Sequence, residues 1–200
     1  MATTTYVTLA TLKASLGITD AASDTLLTEK ITSASRSVDT FTGRRFWIDD
    51  DVSARTYRPT GRTLWTDNGE HKLLVDDIAT ATGLIVETGS TSGGWTAVTD
   101  YDTDPENAAA QSKAITGLLL PSGSWPCGRG QRVRVTAKWG WPAVPALVAE
   151  AALLQAQRLW SRKGSPEGVI GSAEWGAIRV SRLDPDVQKL LEDLQDPGIA

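Results

Sequence analysis

The sequence predicts an α+β fold, a helical core from both chain ends with an inserted antiparallel β-rich region. Three observations carry this expectation. Apolar residues recur at helical spacing near both ends. Between Trp47 and Gly140, glycine, threonine, serine and aspartate become frequent and apolar runs shrink to strand length. One segment, Gln131 to Trp139, alternates cleanly and leads into a proline-started, Ala/Leu-rich run. The expected layout is a helical hairpin over 1–46, a β-rich insertion over 47–140, and a long central helix, flexible segment and C-terminal helix over 141–200.

A short helix is expected from Leu9 to Leu16. Thr8 can cap it, because a threonine oxygen accepts an orphan amide of the first turn, and Gly17 can stop it in the left-handed region. A longer helix starts at Asp20 or Ser23. Its residues Leu27, Ile31, Ala34, Val38 and Phe41 are spaced four and three apart, which puts one apolar stripe on one face. Gly43 ends it, and Arg44 and Arg45 follow at the negative end of the helix dipole.

Strands are expected at Ala54 to Pro59, Thr63 to Thr66, Lys72 to Val75, Gly83 to Thr88, Trp95 to Tyr101, Ile115 to Leu120 and Gln131 to Trp139. Asp67-Asn-Gly-Glu70 signals a tight turn, and Ser90 to Gly94 a second. Asp102 to Lys113 reads as a surface loop. In the last strand Val133, Val135, Ala137 and Trp139 face one way, and Arg132, Arg134, Thr136 and Lys138 the other.

Trp141-Pro142 ends that strand. Pro145 suits the first turn of a helix running to about Arg162, since its missing N–H is harmless there. Val144, Leu147, Val148, Ala151, Ala152, Leu154 and Leu159 spread over a broad arc, which marks this helix as central. Gly164 to Gly171, with three glycines and a proline, cannot hold a helix. Ala177 to Ser181 reads as a short strand. Asp184-Pro185 caps and starts a last helix whose stripe is Val187, Leu190, Leu191 and Leu194.

Two hundred residues suffice for a well-buried fold. The net charge of -4 gives no global attraction to nucleic acid or anionic membranes. No apolar run approaches a membrane span, and no signal peptide is visible at the N-terminus. Cys127, the lone cysteine, can form no intrachain disulfide, which fits synthesis in a reducing cytoplasm. The eight tryptophans are many for a chain with two phenylalanines. Most are expected to fill the core; the alternative is interface work, where large rigid rings are enriched.

No catalytic, metal or cofactor site is expected. One histidine, His71, beside a hairpin and without a nucleophile in a recognisable setting makes no triad. It reads as a surface or strand-end residue. One cysteine and one histidine build no ordinary zinc site. Asp49-Asp50-Asp51 and Asp76-Asp77 lack the spacing of a calcium loop and read as solvated acidic loops. Phosphate-binding glycine motifs are absent. The basic strand face, Arg132, Arg134 and Lys138 with Arg129 nearby, could touch phosphates, but reads rather as a solvated face or an ion-pairing surface between subunits.

Three stretches together resemble the head-to-tail adaptor (connector, head completion) proteins of long-tailed bacteriophages, in versions similar to those of actinobacteriophages. The first is Tyr6 to Phe46, ending Val38-Asp-Thr-Phe-Thr-Gly-Arg-Arg-Phe46. The second is Val133 to Trp160, with Trp139-Gly-Trp-Pro-Ala-Val-Pro145. The third is Ser165-Pro-Glu-Gly168 through Ile178-Arg-Val-Ser181 and Leu183-Asp-Pro-Asp-Val187. The region from Trp47 to Arg132 is larger than the plainest members of that family carry.

The resemblance implies a structural virion protein without catalytic activity or cofactor, made in the host cytoplasm and placed at the capsid vertex. It implies a ring of about twelve subunits under the portal protein, since heterologous contacts close rings. Such a ring would extend the DNA channel, pass the genome without binding it specifically, and dock a tail-side stopper or tail terminator. The segment Arg162, Lys163, Ser165, Pro166, Trp175, Ile178, Arg179 and Arg182 is expected to wrap the portal or a neighbouring subunit. A rival is a carbohydrate-binding β-module, which requires exposed, coplanar tryptophans such as Trp65, Trp95 and Trp125. A second rival is an enzyme with convergent carboxylates in a pocket.

Overall fold

The computed structural model describes residues 5–162, 169–170, 178–179 and 183–195. The chain divides into two compact units: Trp47–Ala143, and Thr3–Phe46 joined to Val144–Asp196. The fold is α+β, with helices from both ends of the chain and one large antiparallel sheet between them in sequence.

In the helical unit, α1 (Leu9–Leu16) is capped by Thr8, whose Oγ1 accepts the Thr11 amide at 3.1 Å, and is stopped by Gly17 at φ 68°. Helix α2 (Asp24–Thr42) ends at Gly43. Four residues of its expected stripe, Leu27, Ile31, Ala34 and Val38, are buried, while Phe41 is half-buried. Helix α3 (Ala146–Ser161) packs on α1, α2 and α4 (Pro185–Leu191). Its N-cap is Pro145. The buried arc of α3 is narrower than its composition implies: Val148, Ala151, Ala152, Gln155 and Ala156 are buried, but Leu147 is half exposed. Asp184 caps α4 by accepting the Asp186 amide, and the helix continues into a 3-10 turn, Glu192–Leu194.

Tyr6 closes this unit. Its hydroxyl accepts the buried Phe46 amide at 2.9 Å and donates to the Asp39 carboxylate. Its own amide donates to Ser35 Oγ. The residue ahead of α1 is thus tied to the interior of α2 and to the segment that follows it.

The other unit contains β1 (Ser53–Tyr57), β2 (Thr63–Trp65), β3 (His71–Ser90), β4 (Gly93–Val98), β5 (Asp102–Asp104), β6 (Ile115–Leu120) and β7 (Gln131–Trp139). The sheet path is β1-β7-β3-β6-β5, with β2 and β4 also paired to β3. β3 corrects the expectation of two strands. Its first half pairs with β2 and β6, its second half with β4 and β7, and Ile78 touches both arms. The register shifts around Ile78 to Ile85, and Gly83 at φ 76° allows the local distortion.

Asp76-Asp77, expected in a solvated loop, lies inside this strand because each carboxylate finds a donor. Arg55 reaches Asp76 at 2.6 Å, and the Trp141 indole N–H donates to Asp77 at 2.9 Å. The expected surface loop from Asp102 begins instead as β5, an edge strand on β6. His71 opens β3 as a strand-end residue but is buried, not on the surface; its Nδ1 accepts the Trp125 amide at 2.9 Å.

The sheet encloses Leu73, Ile78, Val86, Leu118, Trp125, Val133, Val135 and Trp139, among others. Trp125, Trp139 and Trp141 are core residues, whereas Trp47, Trp95 and Trp160 are half-buried and Trp65 is exposed, so fewer of the tryptophans than expected fill the core among the described residues. Gly140 explains the Trp-Gly-Trp sequence. It sits at φ 104°, and a Cβ there would lie 1.9 Å from the Trp47 carbonyl oxygen. Its amide donates to Asp77 O, and Asp49 N donates to Trp139 O, both at 2.8 Å. Only glycine lets the two chain segments cross so closely.

Candidate functional site

β7 is a central strand with β1 on one side and β3 on the other. Its burial alternates as the sequence predicts: Val133, Val135, Ala137 and Trp139 are buried, and Arg132, Arg134, Thr136 and Lys138 are half-exposed. Directly paired residues on neighbouring strands share a face. Arg134 therefore lies beside Thr56 and Glu87, and Thr136 beside Ala54 and Ile85. Arg129 is exposed in the turn leading into β7, where Gln131 N donates to Gly128 O.

Arg134 is committed within this face. Its Nε and Nη2 grip the two Glu87 oxygens at 2.7 and 2.8 Å, a bidentate geometry. Its guanidinium also lies 4.4 Å from the centre of the Trp95 ring. Gly89 makes room for that ring, since a Cβ there would come within 2.8 Å of it. The hydrogen bonds from Arg134 hold the Glu87 carboxyl below its ordinary range. Arg132 donates to its neighbour's carbonyl, and no carboxylate is paired with Arg132 or Lys138 among the described residues.

Sequence reasoning missed the apolar part of the face. Ile85 is 51% exposed beside Thr136, and Val52, just ahead of β1, is 52% exposed. Leu84-Ile85-Val86 held the signal: three consecutive apolar residues in a strand must turn one outward.

A second exposed feature is the β2–β3 hairpin. Leu64 and Trp65 are exposed, and the Trp65 ring stacks on His71 at 4.3 Å between centroids. The three tryptophans that a sugar platform would need do not form one. Trp125 is 1% exposed, Trp95 lies beside Arg134, and only Trp65 is open.

The C-terminal residues singled out from the sequence are only partly described. Arg162 caps the end of α3. Ile178–Arg179 forms β9 and pairs antiparallel with β8 (Val169–Ile170). Lys163, Ser165, Pro166, Trp175 and Arg182 lie outside the described residues. Among the described residues, no group of three or more His, Cys, Asp or Glu could hold a metal ion, and no helix is long and apolar enough to cross a membrane.

Residues 6–81 match the family model for phage gp6-like head-tail connector proteins, which bears out the resemblance read from the sequence. No curated protein matches the chain. Among solved structures, a chain in the neck of an empty GTA particle computed with C6 symmetry is similar at 18% identity and TM-score 0.51, covering 96% of this chain and 92% of that one. A chain in the virion of a native gene transfer agent (GTA) particle is similar at 17% identity and TM-score 0.54, covering 96% and 90%. At these identities the likeness is one of fold, and it extends over both units.

Proposed function

We propose that this chain is a structural head-to-tail adaptor of a phage or phage-like virion, without catalytic activity. The family match over residues 6–81 carries the proposal, because it covers both N-terminal helices and the first strands of the β unit. The fold likeness to chains of a particle neck and virion supports it along nearly the whole length.

In this reading the subunits form a ring of about twelve beneath the portal protein, using heterologous contacts that close on themselves. The ring continues the DNA channel and offers its far side to a stopper or tail terminator. A net charge of -4 suits a conduit, since dense fixed phosphate contacts would hold the passing genome. The stretch from Arg162 to Arg182, with Lys163, Ser165, Pro166, Trp175, Ile178 and Arg179, wraps the portal or a neighbouring subunit.

Native mass spectrometry of the full chain, alone and mixed with its portal, tests the reading. A free ring, or a monomer that joins portal rings in stoichiometric number, is expected. A monomer indifferent to portal would overturn it.

A further inference from the structure

The outer face of β1, β7, the second half of β3, and β4 has the make-up of a protein contact. Its middle is partly apolar: Ala54, Thr56, Thr136, Ile85 and Ala97 present small or apolar side chains, most of them exposed. Arg132 and Lys138 stand on β7, and Arg58 is exposed just past β1. None of the three has a carboxylate partner among the described residues, while Arg134 is matched by Glu87. The face is therefore positive on a chain whose net charge is -4, so the remaining surface is more acidic than the total indicates.

A complement exists at the other end of the same sheet path. β1 begins that path and β5 ends it. At β5 and its flanks, Asp100, Asp102 and Glu106 are exposed, with no ion pair among the described residues. We infer that the positive outer face around Ile85 seats a second copy of this chain, receiving the acidic β5 edge of its neighbour. This rests on the ring reading above and names the contact.

Two physical points favour that occupant. Pairing the face with itself would bring cation against cation, whereas joining it to the β5 edge is heterologous and can repeat around a ring. Duplex DNA fits less well. Glu87 lies within the face, its arginine partner is already engaged, and apolar side chains gain nothing from phosphate.

The test uses the full chain with its portal and measures ring loading by sedimentation velocity. One variant reverses the face (Arg132→Glu with Lys138→Glu), one places a charge at its centre (Ile85→Asp), and one adds Asp102→Arg and Glu106→Arg to the first. All substituted positions are half-exposed or exposed, and near-ultraviolet circular dichroism checks that each variant folds. Wild type should load fully. The first two variants should need about tenfold or more higher concentration, and the third should recover most of the loss, as rim-charge complementarity requires. Loading unchanged by the reversal, or reversal that abolishes only duplex DNA binding, would overturn the contact while leaving the adaptor reading intact. Failure of wild type itself to load would remove both.

Discussion

Replacing Gly140 with alanine should be among the most damaging single-methyl changes in this chain. The backbone there has φ 104°, a region that costs an L-residue roughly 1–3 kcal/mol. The new Cβ would lie 1.9 Å from the Trp47 carbonyl oxygen, and backbone atoms cannot rotate away as a flexible side chain would. Relief requires the segments at 47–49 and 139–140 to separate. That movement weakens Asp49 N to Trp139 O and Gly140 N to Asp77 O, each about 1 kcal/mol net. The total is about 3–5 kcal/mol. Gly61→Ala is the control. Its φ is 81°, but a Cβ there meets nothing within 4 Å, so it carries the backbone strain alone, about 1–3 kcal/mol. Urea unfolding followed by tryptophan emission compares the two variants. If Gly140→Ala proves no worse than Gly61→Ala, the close crossing is not a constraint on the fold.

Three further outcomes are expected. Tyr6→Phe leaves the buried Phe46 amide without its acceptor and should destabilise the helical unit by about 2–3 kcal/mol in thermal melts; the Asp39 pKa, already raised by burial, should rise further by NMR because the tyrosine bond lowers it. An unchanged melt would remove Tyr6 as the tie. Glu87 should titrate below the ordinary glutamate range, and Arg134→Ala should return it there. With a depressed folded pKa, the stability from this bridge is present above the unfolded pKa and is lost as pH falls through the folded value. A normal wild-type Glu87 titration would show that the bidentate pair does not persist in solution. His71 is held by burial below the usual histidine pKa, so the β unit should weaken as pH drops from about 6.5 towards the folded value, where protonation removes the acceptor for the Trp125 amide. A pH-independent β-unit melt across that window would contradict the buried, neutral ring.

Much of this fold was legible because its signals are local. Thr8, Gly17, Gly43 and Asp184-Pro185 mark helix ends through conformations that few other residues favour, and they mark them here. β7 was legible to the residue because one face is fully buried, so alternation is enforced. β3 was not. Asp76-Asp77 breaks its apolar pattern, and the donors that make those aspartates tolerable, Arg55 and Trp141, are distant in sequence. The burial of His71 was hidden for the same reason: its partner is the amide of Trp125, supplied by a distant loop. In the candidate site, the cations of β7 were readable from spacing. Their fate was not, because Glu87 and Trp95 join Arg134 only through strand pairing.

Electron cryomicroscopy of the virion neck in particles that carry this chain tests the central claim most directly. The account predicts a closed ring of density between portal and tail, each subunit accommodating both the helical and the β unit. A neck in which no density fits these units, with the chain located elsewhere in the particle or absent from it, would contradict the account.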